Sequence, residues 1–144
     1  GLVRTVASVL DLGGRGTATG GSRLAPAASA STSMTGASDG KLSGLVAIGA
    51  TNGVTYRTCP EWASRVRDIN RGRGVDHVFE NGGGMTLSQS IAATRRGGSI
   101  HQIGVIAPGE IDPVHILLGS VTVCGIEVGL RAVFERINRA FVVK

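Results

Sequence analysis

The chain is predicted to fold as an α/β domain built on a doubly wound parallel sheet, incomplete at both ends. Three observations carry this expectation. The stretch Gly74–Ile106 reads as strand, helix and strand with its turn residues in place. Apolar runs and amphipathic segments alternate on either side of it, the pattern of a sheet wound with helices. The core material is aliphatic: 42% of residues are hydrophobic, yet aromatics amount to one Trp, one Tyr and three Phe. That composition suits a parallel sheet covered on both faces.

Within the central unit, Val75, Val78 and Phe79 make the first strand, and Gly82, Gly83 and Gly84 follow at once. Leu87 and Ile91, with Ala92 beside them, mark a helix that stops at Arg95, Arg96, Gly97 and Gly98. Cations in a last turn followed by glycine are a helix C-terminus signal. Ser99–Ile106 is the second strand. Strands joined through one helix lie parallel, and ligands of such sheets sit beyond the carboxyl ends of the strands.

From the amino end, Val6–Leu12 predicts an earlier strand running into Gly13, Gly14, Arg15 and Gly16. Glycines after a strand allow a pyrophosphate to approach the backbone, with the next helix offering its N-terminus. Gly14 and Gly16 supply two glycines of a GxGxxG pattern, and Thr19 stands in the third place. Thr17–Ser33 has Gly20, Gly21 and Pro26 in its interior and Leu24 as its one large apolar residue. Residues 14–33 are therefore expected to be irregular or disordered.

Order is expected from Met34. Ser38 or Asp39 caps a helix in which Leu42, Leu45 and Val46 share a face, ending at Gly49. Val54–Arg57 is a short strand. Thr58-Cys59-Pro60-Glu61 reads as a capping box with proline in the first turn. Trp62, Val66 and Ile69 recur at helical spacing, so Trp62 is expected to anchor the core. Ala107–Leu118, with Pro108 and Pro113, reads as a loop. Val121–Val128 reads as a buried-type outer strand with Cys124 in the core. The last helix presents Val133, Ile137, Ala140 and Phe141 on one face, with Glu135 and Arg139 paired.

The net charge of +5 does not indicate nucleic acid. Arg57, Arg65, Arg67, Arg71 and Arg73 alternate with Glu61 and Asp68 as a solvated helix face does, and no aromatic residues are interleaved to stack on bases. No apolar run reaches the length of a membrane span. Cys59 and Cys124 have no CxxC or Cys/His pairing near them, which gives neither a zinc motif nor a disulfide framework. Two free thiols fit a reducing compartment, the cytoplasm. Gly1-Leu2-Val3-Arg4 lacks an initiator Met and a signal-peptide layout, so a fragment is expected. His77, His101 and His115 have no Ser, Cys or carboxylate at triad or metal spacing and are expected to be structural. Glu80 ends its strand, where it either serves a site or caps the glycine turn.

Several strings extend this reading. SDGKL at Ser38–Leu42, GAT at Gly49–Thr51, GRGVDHVFENGG at Gly72–Gly83, RRGGSIHQIGV at Arg95–Val105 and GIEVG at Gly125–Gly129 stand in sequence order. Together they resemble the nucleotide-binding half of the medium-chain dehydrogenase/reductase superfamily, in its zinc-type alcohol dehydrogenase and quinone oxidoreductase-like members. The resemblance covers roughly Met34 to Phe141 and fails over Gly14–Ser33, which resembles either a passage read in a shifted frame or a diverged segment.

The resemblance implies a Rossmann domain that binds a nicotinamide dinucleotide for hydride transfer. It implies a phosphate turn at Gly13, Gly14 and Gly16, and adenosine-end contacts at Ser38, Lys41 and Tyr56. Asn81, Gly82, Gly104, Val105, Ile106, Ile126 and Val128 would line the rest of the cofactor site. A carboxylate at the end of the second strand favours NAD; here Thr35-Gly36-Ala37-Ser38 carries none, so NADP is expected, with NAD the alternative. Catalytic groups and any zinc ligands would precede Gly1, leaving no zinc in this chain. The outer strand at 121–128 would meet a second copy in a homodimer. The alternative is a degenerate domain kept for packing or dimerisation alone.

Overall fold

A computed structural model describes residues 3–8 and 30–142. The strands are β1 (Val3–Ser8), β2 (Ala30–Gly36), β3 (Asn52–Thr55), β4 (Val75–Glu80), β5 (Thr94–Gln102) and β6 (Thr122–Gly125). The helices are α1 (Asp39–Ala47), α2 (Trp62–Ile69), α3 (Gly84–Ala93), α4 (Pro113–Gly119) and α5 (Arg131–Val142). The six strands form one sheet in the order β3-β2-β1-β4-β5-β6, and every pairing in it is parallel. This is the doubly wound Rossmann order, reversing between β1 and β4.

One layer holds the core. Val54, Val75, Val78 and Ile100 of the sheet meet Trp62, Ala63 and Val66 of α2 and Leu87, Ile91 and Ala93 of α3. Trp62 is 2% exposed, the anchor its spacing predicts. Replacing such a residue by Ala costs about 3–5 kcal/mol. α2 packs on α3 and α3 on α4, while α1 rests on β2 and β3. Leu42 is the buried residue of α1, and Val46 of its predicted face stays exposed.

The structure moves several predicted boundaries. Ala30–Ser33, expected to be irregular, pair in register with β1 from Val3↔Ala30 onward. The strand expected at Val6–Leu12 begins at Val3, and its part beyond Ser8 lies outside the described residues. The strand expected at Val54–Arg57 is β3, two residues earlier. The α3 helix stops at Ala93, before the two arginines. The Thr94 hydroxyl donates to the Ser90 carbonyl at 2.7 Å, and Thr94 is already extended. Arg95–Gly98 therefore belong to β5, which contains a bulge opposite Val75 and His77 and ends at Gln102 rather than Ile106. Gly98 has no room for a side chain: a Cβ there would meet the Thr94 methyl at 2.6 Å and the Asp76 carbonyl at 3.0 Å.

The capping box at Thr58–Glu61 does not form, because Thr58 turns its hydroxyl back to the Thr55 carbonyl at 3.3 Å. The expected loop contains α4, opened by Asp112, whose carboxylate accepts the Val114 amide at 2.9 Å, with Pro113 in the first turn. His115 is thus helical. β6 is an outer strand as predicted, but its residues and Cys124 are exposed rather than buried. Glu135 pairs backward with Arg131 at 2.6 Å instead of forward with Arg139. Among the described residues, no helix is long and apolar enough to cross a membrane.

Candidate functional site

The carboxyl ends of β2 to β6 converge along one edge of the sheet, and the predicted cofactor residues within the described part lie there. β2 ends at Gly36, and the Tyr56 amide donates to its carbonyl at 3.1 Å, tying the ends of β2 and β3 together. Ser38 is extended and precedes α1 without a side-chain cap. Lys41, one turn into α1, is exposed, and Tyr56 is half-buried against the core. Asp39, the first residue of α1, accepts a short hydrogen bond from the Thr55 hydroxyl of β3. Gly13, Gly14 and Gly16 lie outside the described residues.

At the end of β4, Glu80 is completely buried. Its carboxylate accepts the Gly82 amide at 2.6 Å, the Gly83 amide at 3.4 Å, the Thr86 hydroxyl at 2.7 Å and, by a short contact, the Ser90 hydroxyl. Of the two roles open to Glu80, the structure assigns it the cap of the glycine turn. It sits at the N-terminus of α3, where the helix dipole favours a negative charge.

The segment after β5 is stitched onto that turn. Ile103 and Gly104 donate their amides to the Glu80 carbonyl at 2.8 and 3.2 Å, and Ile106 and Ala107 donate to Gly82 at 3.1 and 3.0 Å. Gly104 lies so close to Asn81 that a Cβ would overlap the Asn81 carbonyl. This stitching brings Asn81, Gly82, Gly104, Val105 and Ile106 together, and Ile126 joins them by donating its amide to the Gln102 carbonyl at 2.8 Å. The result is an exposed apolar rim, with Val105 76% and Val128 72% accessible and Ile106 and Ile126 also exposed. Gln102, absent from the predicted site, has a buried side-chain oxygen without a partner among the described residues.

Two other clusters are structural. On the sheet face opposite Val78, the His77 and His101 rings stack with centroids 5.5 Å apart, their Nδ1 and Nε2 separated by 3.3 Å, and Phe79 stacks on His101 in turn. Strand pairing sets Cys124 beside His101, a neighbourhood that their distance in sequence conceals. A groove of about 590 Å³ at the amino-end side of the sheet is lined by Arg67, Arg96, His115 and Leu118 among others. Its guanidinium groups are engaged: Arg67 donates to the carbonyls of Ala92, Gly72 and Thr94, and Arg96 to that of Leu118. Arg67 thereby meets a carbonyl of the last turn of α3, and Arg96 one of the last turn of α4.

A zinc ion finds no set of ligands here. Among the described residues, no group of three or more His, Cys, Asp or Glu side chains is placed to hold a metal. No step of the chemistry is assigned to zinc in this part of the chain.

Comparison with known proteins agrees with this architecture. A family model described as zinc-binding dehydrogenase matches residues 16–142. A zinc-type alcohol dehydrogenase-like protein of Schizosaccharomyces pombe is 37% identical over 134 residues, covering 89% of this chain and 39% of its own length. The chain thus spans about two fifths of that curated relative. Among solved structures, an NAD-dependent alcohol dehydrogenase superposes with a TM-score of 0.76 at 25% identity, over 97% of this chain and 40% of the other. An alcohol dehydrogenase of Sinorhizobium meliloti 1021, described as putative in its own name, gives 0.72 at 31% identity, over 96% of this chain and 40% of its own. With the strand order, the stitched glycine turns and this extent of match together, the chain belongs to the zinc-binding dehydrogenase family, as a nucleotide-binding-type Rossmann domain of the medium-chain dehydrogenase/reductase superfamily.

Proposed function

We propose that this domain holds NADP(H) for an oxidoreductase whose substrate-binding and catalytic groups lie outside these 144 residues. The observation that carries the reading is the edge where β2 to β6 end. Its β2–β3 side is polar, and β2 itself ends without a carboxylate, at Gly36. Its β5–β6 side is an apolar rim fixed to the glycine turn. A dinucleotide is polar at its adenosine phosphate end and carries a flat ring at the other, so the two sides match its two halves. The bound cofactor supplies the hydride.

The roles of the chain's own residues follow from their places. Ser38, Lys41 and Tyr56 meet the adenosine end, where Lys41 and the hydroxyls favour the extra phosphate of NADP over NAD. Gly104 lets the backbone lie flat beside Asn81 and Gly82. Val105, Ile106, Ile126 and Val128 shield one face of the nicotinamide from water. Catalysis also needs the substrate carbon positioned and its oxygen polarised, and that falls to the remainder of the protein.

Titration with NADPH and NADH at low and high salt tests this. Saturable binding that favours NADPH supports it, and absence of binding overturns it. Salt-sensitive binding of polynucleotide instead would show a different function.

A second reading rests on a separate observation. β6 is the edge strand next to β5, its four residues exposed and flanked by exposed Leu117, Leu118, Leu130 and Phe134. Unpaired apolar edges invite strand addition. A homodimer through 121–128 is compatible with cofactor binding and would persist if the domain had lost it. Free Cys59 and Cys124 support a reducing, cytoplasmic setting.

A further inference from the structure

We infer that the groove between α2, α3 and α4 is a second ligand site, which takes a small multivalent anion of the phosphate class. It lies at the amino-end side of the sheet, away from the strand-end edge, and it does not rest on the dinucleotide reading. Its volume of about 590 Å³ is that of a small-molecule site. The lining holds Arg67, Arg73 and Arg96 and no carboxylate.

The charge there is fixed in place and only partly offset. Arg67 of α2 donates to three neutral acceptors, the carbonyls of Ala92 at 2.6 Å, Thr94 at 2.8 Å and Gly72 at 3.1 Å. Arg96 of β5 donates to the Leu118 carbonyl at 2.8 Å, one bond from a group with five N–H donors. Neither arginine makes an ion pair among the described residues. A helix carboxyl end carries about half a negative charge, so capping α3 and α4 offsets about half of each guanidinium. Two carboxylates reach the lining residues from outside, and both are taken. Asp76 pairs with Arg73 and Arg95, and Glu61 accepts from the Gln89 amide at 3.0 Å.

The surroundings decide what kind of anion fits. Guanidinium groups match the oxygens of a phosphate better than a point charge does. Arg67, held through all three of its nitrogens, loses little side-chain freedom when a ligand arrives. Ile91 and Leu118 give the carbon part of an organic phosphate an apolar wall, and Ser88 adds a hydroxyl. No Phe, Tyr or Trp lines the groove to stack on bases, which argues against a polynucleotide.

The test titrates the isotope-labelled chain with inorganic pyrophosphate, at an ionic strength held constant with sodium chloride. The expected result is one saturable curve shared by the amides of Ser88, Ala92, Arg96 and His115. Two variants then change the charge. Arg96→Gln removes a cation and keeps a donor for the Leu118 carbonyl. Ser88→Asp adds a carboxylate at an exposed position of α3. Each should weaken pyrophosphate about five- to tenfold, as one unit charge does in a solvated groove.

Shifts that never saturate, or that spread over arginines outside the groove, mark charge screening alone and overturn the inference. So does a curve carried by Gly82 and Gly104 at the strand ends instead. A folded Ser88→Asp chain that binds pyrophosphate as tightly as the parent overturns it as well, which keeps the test decisive even where Arg96→Gln fails to fold.

Discussion

The Glu80 carboxylate receives the Gly82 amide at 2.6 Å, so the last residue of β4 caps the turn that starts α3. The same carboxylate takes three more donors, from Gly83, Thr86 and Ser90. Truncation would strand buried amides and hydroxyls at once. Glu80→Ala should lose about 2–4 kcal/mol of stability in urea unfolding, with Glu80→Gln losing less because one oxygen remains to accept. Equal stability of Glu80→Ala and the parent would show that the cap contributes nothing.

Asp76 ties the start of β4 to the bulged part of β5 through Arg95 at 2.5 Å, and to the turn before β4 through Arg73 at 2.7 Å. The Arg73 guanidinium is held above its ordinary value, first by its hydrogen bond to Asp76, with desolvation opposing and the carboxylate's charge adding. A raised basic group stabilises the fold below its unfolded pKa, and that contribution is lost only as pH rises through the folded value. For a guanidinium this window lies above the neutral range. Asp76→Asn, which weakens both ion pairs, should lower the Tm by a few degrees, roughly 3–6 °C, and the part due to Arg73 should be constant from pH 6 to 9. An Arg73 contribution that fades across that interval would contradict the assignment.

The exposed β6 edge predicts self-association. Sedimentation at high concentration should show dimers or larger species, and Val123→Lys, which places a charge in the edge strand, should shift them toward monomer. A monodisperse parent that sediments as a monomer at every concentration counts against the edge as an interface.

How far these features were legible in the sequence follows from how local their causes are. The order of β4, α3 and β5, the Trp62–Val66–Ile69 stripe and the strand-end position of Glu80 follow from periodicity and glycines close in the chain. The edge position of β6 agrees with expectation, but the exposure of Cys124 does not, because an apolar strand looks the same in sequence whether its faces are covered or open. The Arg95-Arg96-Gly97-Gly98 run imitates a helix end, yet Thr94 breaks α3 first by bonding back to Ser90. The Asp112-Pro113 pair opens α4 as a cap and first turn, while Pro108 and Pro113 together give the same stretch the look of a loop in sequence. The Asp39–Thr55 bond could not be seen from the chain, since it depends on β2 and β3 lying in register.

Chemistry should be absent from this chain by itself. Tyr56 lies at the β2–β3 end of the sheet edge, and His77 and His101 face each other across the strands. None is placed to protonate a substrate oxygen at the apolar rim. A panel of aldehydes and quinones with NADPH should give no protein-dependent turnover, and steady oxidation of NADPH would overturn that expectation.

The central claim, that the strand ends from β2 to β6 hold one dinucleotide, is tested most directly by mapping amide shifts of the isotope-labelled chain during NADPH titration. The account predicts saturable shifts at Ser38, Lys41, Gly82, Gly104, Val105, Ile106, Ile126 and Val128, together in one binding curve. Shifts confined to the Arg67–Arg96 groove, or no shifts at all, would contradict it.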